Sequence, residues 1–161
     1  MTQDNTKNRD SASLPKESYM DNLRRILPML REHKVERISV RFAGYGDTGS
    51  IEEISYFPTV KADIHNRPIR YKKFTSSFNS DIGWTEQLVE TTGPLDDAIE
   101  SLSYDYIQET GVDWYNNEGG FGELIVDVVA GSVSLSVSVN QTYSITEFSA
   151  IRDILTGEEV D

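Results

Sequence analysis

A chain of 161 residues, 37% of them hydrophobic, suits one domain around a single core. It has no cysteine, which excludes disulfides, thiolate metal sites and a thiol nucleophile. The formal charge of −12 is unevenly placed: residues 1–73 hold 14 Lys and Arg against 10 acids, whereas residues 74–161 hold 17 acids and one base, Arg152.

Residues 1–14 are almost wholly polar and predict a disordered tail, because they cannot bury enough surface to offset their conformational entropy. They also lack the apolar stretch of a secretory signal. No run reaches the length of a membrane span, so a cytoplasmic protein without membrane contact is expected. A single domain is expected over 15–155, with a short tail at 156–161.

The first helix is expected from Pro15 or Ser18 to about His33. Met20, Leu23, Ile26, Leu27 and Leu30 form one apolar stripe at helical spacing. Pro28 lies inside the stripe and predicts a kink or two shorter helices. The period then changes to two. Ile38, Val40 and Phe42 alternate with Arg37, Ser39 and Arg41, a half-buried strand over 36–44. A second strand over 51–57 would follow the glycine-rich segment Gly44-Tyr45-Gly46-Asp47-Thr48-Gly49, which has the residues of a hairpin turn.

Residues 58–68 read as a long loop, with short strands over 69–74 and 84–89. Gly93-Pro94 opens the clearest helix, with Asp96 and Asp97 at its positive end and Gly111 as its stop. Leu95, Ala98, Ile99, Leu102 and Tyr106 would be its buried face. Strands are expected over 123–129, 133–139 and 142–148, and in VSLSVSV serine occupies every outward position. Helix, hairpin, irregular stretch, helix, hairpin is an α+β order: an antiparallel sheet of two or more hairpins with helices packed on one face. No phosphate-binding glycine fingerprint follows a strand, so a Rossmann or P-loop reading fails.

Two stretches rich in acid and glycine stand out. Asp47, Glu52 and Glu53 belong to the first; Trp114, Asn116, Asn117, Glu118 and Glu123 belong to the second. Carboxylate and amide oxygens of this kind suit Mg²⁺ or Ca²⁺. A metal-dependent hydrolase on Asp47, Glu52, Glu118 and Glu123 is therefore the alternative reading, conditional on the two stretches meeting in space. Calcium-loop spacing is absent, and glycine and asparagine also serve turns, so no cofactor is the preferred reading.

The segments VRFAGYGDTGSIEE, PLDDAIESLSYDYI and WYNNEGGFGELIVDV resemble a family of small uncharacterised bacterial proteins with a Gly-Tyr-Gly-Asp-Ser/Thr-Gly turn before acids and a later Trp-x-Asn-Asn-Glu-Gly segment. Thr48 stands where serine is common in that family, and Leu124 where an aromatic is common. The resemblance covers under half the chain. It implies a shared domain and a bacterial or mobile-element origin, and it brings no activity.

No catalytic residue is assigned. His33 falls at a helix end, His65 falls in a loop where simple solvation is the plain reading, and there is no nucleophile elbow. Arg67, Arg70, Lys72 and Lys73 make the densest basic cluster, read as an edge strand guarded by its charges rather than as a nucleic-acid surface. Direct nucleic-acid binding is not expected from so acidic a chain. The function expected is a non-catalytic interaction module whose acidic C-terminal half docks on a basic protein, a nucleic-acid-binding complex among the candidates.

Overall fold

A computed structural model describes the backbone over residues 3–141 and the side chains from Ser18 to Gln141. The element order is α1 (Gln3–Glu32), β1 (Arg37–Tyr45), β2 (Thr48–Phe57), α2 (Ala62–His65), β3 (Pro68–Asn79), β4 (Gly83–Pro94), α3 (Leu95–Glu109), β5 (Gly120–Asp127) and β6 (Ser132–Val139). Strands β2-β1-β5-β6 form one antiparallel sheet, and β3-β4 form a separate hairpin. This is the expected α+β class. The strand expected over 142–148 and the tail at 156–161 lie outside the described residues.

The apolar stripe of α1 folds as read, with Ile26 and Leu30 fully buried. The helix is single rather than divided at Pro28. Pro28 sits on the solvent side, where water can take the carbonyl that its ring leaves without a donor. The helix also reaches upstream of its stripe to Gln3, since propagation adds one hydrogen bond per residue once the buried turns exist.

Alternation in β1 sends Ile38, Val40 and Phe42 inward, beside Leu124 and Val126 of β5. Leu95, Ile99 and Leu102 of α3 and Ile26 and Leu30 of α1 cover that face and complete the main core. The opposite face is polar and satisfies itself: Arg41 pairs with Glu53, the Ser39 hydroxyl donates to Glu123, and Arg37 lies over the Phe57 ring. The serines of β6 join this outer face, while Val133, Leu135 and Val137 pack inward. Among the described residues no helix is long and apolar enough to cross a membrane.

Residues 58–94 are more regular than their prolines suggested. The short α2 interrupts the expected loop, and β3 and β4 pair over twelve residues each. The hairpin is held by α1. Buried Asn22 donates its amide to the Lys72 carbonyl and accepts the Lys72 N–H, both at 2.8 Å, as a neighbouring strand would. Around it Lys72 pairs with Asp21, while Arg25 and Arg70 converge on Glu90. The two arginines, Arg25 first, hold Glu90 below the usual carboxylate range. Three members of the basic cluster thus have definite structural places: Arg70 and Lys72 are neutralised, and Lys73 is half-buried. Arg67 precedes the strand and donates its backbone N–H to Ile64.

Tyr19 of α1 stacks on Tyr106 of α3 with centroids 4.4 Å apart. Nearby, the Ser18 hydroxyl donates to Asp105 at 3.2 Å. Burial outweighs that bond and, with repulsion from Glu86, pushes the Asp105 carboxyl up to about 6. The native state thus holds a proton that the unfolded chain releases at the ordinary value of 3.8, so this group makes stability fall as pH rises from there to about 6.

Two outcomes follow for denaturation experiments. Asn22→Ala strands both polar groups of Lys72 and is expected to lower stability by about 2 kcal/mol in urea unfolding. Asp105→Asn should flatten the acid-side slope and raise stability at neutral pH by on the order of 1 kcal/mol, a value kept small by the partial exposure of the site.

Candidate functional site

The two acid-and-glycine stretches do meet, and they meet through their glycines. Gly46, at φ +73°, makes the two-residue turn between β1 and β2 with Asp47. Gly44 and Gly49 have a different role. They pair across the hairpin, and a Cβ on Gly49 would stand 2.5 Å from the Trp114 ring, while one on Gly44 would stand 2.6 Å from the Tyr115 Cβ. The bare backbone of this pair is what lets the segment after α3 lie flat on the hairpin. Gly119, in positive φ, sits against the Gly44 carbonyl in the same way.

Trp114 is therefore buried, edge-on to Phe42 at 5.0 Å and to Tyr115 at 5.4 Å. With Phe42 and Ile107 it makes a second, smaller core. Tyr104 closes the contact by accepting the Ile51 N–H on its hydroxyl at 2.8 Å.

Above this floor opens a cleft of about 800 Å³, bounded by the β1–β2 turn, the last turns of α3 and the 111–116 loop. Asp47, Thr48, Gln108, Asp113 and Asn116 supply its polar groups, and Tyr104, Trp114 and Tyr115 its aromatic ones. Asp113 shapes the loop, accepting the Asn116 backbone N–H at 3.2 Å and its side-chain amide at 3.1 Å. The C-terminal end of α3 also faces the cleft, with no basic residue in its last turn, so the helix dipole adds to the negative field.

The remaining sequence-derived candidates scatter. Glu53 and Glu123 turn to the outer sheet face, engaged by Arg41 and Ser39. Glu52 occupies the extra position of a β-bulge and lines a shallow hollow with Tyr45 and Ser50. Asn117 takes positive φ at 57°, and exposed Glu118 gives its carbonyl to Asn140. Among the described residues no three His, Asp or Glu side chains come together as a metal-binding group. The carboxylates of the hydrolase alternative are thus not gathered at one point. Sequence reading missed Tyr104, Gln108 and Asp113; the helix stop at Gly111 was the signal that these residues share one end of α3.

His65 also differs from the solvated residue expected. Its Nδ1 lies 3.0 Å from Asp96, which accepts the Tyr56 hydroxyl at 2.6 Å, and its ring packs edge-on against Tyr56. Burial, then the Asp96 bond, pushes the Tyr56 phenol far above its ordinary range. This clasp ties β2 and α2 to the start of α3, at the opposite end of that helix from the cleft.

Fold and site together define an α+β domain with an open, acid-rimmed cleft over a buried tryptophan. The chain belongs to a family of unknown function (DUF6878), whose model matches residues 19–151. No curated protein and no solved structure matches it.

Gly49→Ala tests the seat of Trp114. With Trp84→Phe as background, the Trp114 emission should shift to longer wavelength and stability should fall by about 1–3 kcal/mol, the usual cost of overpacking.

Proposed function

We propose that the protein is a non-catalytic interaction module that binds a basic segment of a partner protein in the cleft at the C-terminal end of α3. One observation carries the reading. The segments that line the cleft, residues 47–49 and 104–116, contain four carboxylates, of which Asp47 and Asp113 face it, and no Lys, Arg or His. Elsewhere acids and bases interleave, as at Glu90 between Arg25 and Arg70. Here none of the acids from 97 to 123 takes part in an ion pair among the described residues.

A concave surface of one sign focuses its field and speeds encounter with a cation, and aromatic walls suit the flat guanidinium of arginine. The partner class that fits is a protein with an exposed arginine- or lysine-rich segment, as nucleic-acid-binding proteins carry. The reading takes the chain as a cytoplasmic protein, an expectation from its composition, and as one of bacterial or mobile-element origin, an expectation that rests on the sequence resemblance.

A labelled nonapeptide of arginine serves as the probe, read by fluorescence anisotropy at low and high salt. Asp47→Lys with Asp113→Lys should weaken binding roughly tenfold or more, with a shallower salt dependence. Charge reversal at Asp81 and Glu86, on the hairpin, should change little. Equal losses from both pairs would mean that net charge alone attracts the peptide and would remove the cleft from the account.

A further inference from the structure

The far end of the β3–β4 hairpin carries three large apolar side chains in the open. Phe78, Ile82 and Trp84 are 63%, 71% and 73% exposed. Phe78 and Trp84 oppose each other across the strands, with rings edge-to-face at 5.5 Å. The loop between them is held in shape: Asp81 donates its N–H to the Asn79 side chain at 2.8 Å, and Gly83 adopts φ +82°. An aromatic, solvent-facing tip whose turn is already hydrogen-bonded has the character of an interaction anchor.

Its charge narrows the receptor. Residues 74–94 contain Asp81, Glu86 and Glu90 and no Lys, Arg or His. An anionic bilayer or a nucleic acid would repel such an arm. The fitting receptor is an apolar groove with a positive rim, and the chain itself has one. Between α1 and the β5–β6 end runs a groove of about 370 Å³ walled by Met20, Leu23, Leu27 and Val133, with Arg24 as its charged lining residue, exposed and held only by a surface pair with Asp21 of its own helix at 3.0 Å. The Arg31 guanidinium lies beside Gly131 at the same end.

We infer that the hairpin tip is a homotypic docking arm: Phe78, Ile82 and Trp84 of one copy seat in the α1–β6 groove of a second copy, with Asp81 meeting Arg24. Helix α1 takes part in both halves of the contact: it holds the base of the arm through Asn22 and lines the groove through Met20, Leu23 and Leu27. A two-fold axis beside α1 makes the contact twice and closes the pair.

The test is sedimentation equilibrium of the full chain from micromolar to near-millimolar concentration. A dimer is expected, and Ile82→Ser with Trp84→Thr should leave a folded monomer, since both side chains are exposed. Arg24→Asp should weaken the dimer roughly tenfold, and Asp81→Arg added to it should restore most of the loss. A monomer at every concentration overturns the inference. So does a dimer indifferent to the tip substitutions, or one lost with the tip yet unaffected by Arg24→Asp, which would mean tip-to-tip pairing. Monomer binding to phosphatidylcholine vesicles that requires Trp84 would overturn it in favour of a membrane anchor.

Discussion

Trp114 rests on backbone. Its ring and the adjoining Tyr115 lie against Gly44 and Gly49, a pair in register across the first hairpin, where any Cβ would enter the space that the aromatics fill. That contact fixes the segment between α3 and β5 on top of the β1–β2 turn. It also sets where β5 begins, since Gly120 pairs with Gly44. The sheet order β2-β1-β5-β6 and the cleft at its end are therefore two consequences of one close approach. A dispersion contact this near is worth having only where the neighbour has no side chain to displace, and the chain meets that condition at both positions.

A second constraint acts at the other side of the helices. The hairpin β3–β4 has no sheet to join, and a two-stranded ribbon alone is marginal in water. Asn22 takes the role of the missing strand at one residue, and the ion pairs of Asp21, Arg25 and Glu90 hold the flanks. Beyond Ser76 the ribbon leaves this support and becomes mostly exposed. The same anchoring occupies two basic residues of β3, Arg70 and Lys72.

Periodic signals were the legible part of the fold. The stripe of α1, the alternation of β1 and β6 and the buried face of α3 all follow from repeats of 3.6 or two residues, and each packs as those repeats require. Residues 58–94 were legible only in fragments, because the pairing of β3 with β4 joins positions up to 26 residues apart, Pro68 with Pro94, and because the support from Asn22 comes from another element. The candidate site was half visible. Asp47, Trp114 and Asn116 reached the cleft, whereas Glu53 and Glu123, equally acidic in the sequence, turned away by strand alternation. Glycine was the residue most easily misread: only Gly46 serves the turn by its φ, and Gly44 and Gly49 serve a tryptophan 65 or more residues away.

Under the two proposals the cleft and the arm would respond differently to ionic strength, because the chain carries a large net negative charge. Attraction between the acidic cleft and a cationic segment is long-ranged and weakens as salt shortens the Debye length, about 10 Å at 0.1 M. Association of two copies brings together two bodies of formal charge −12. Their mutual repulsion is screened by the same salt, while burial of Phe78, Ile82 and Trp84 is not weakened by it. Rising salt would therefore loosen the proposed basic partner, whereas for the proposed pair of copies it would screen the overall repulsion while weakening the Asp81–Arg24 contact. The two surfaces also lie apart on the helices, the cleft at the C-terminal end of α3 and the groove along α1, so occupation of one leaves the other physically open.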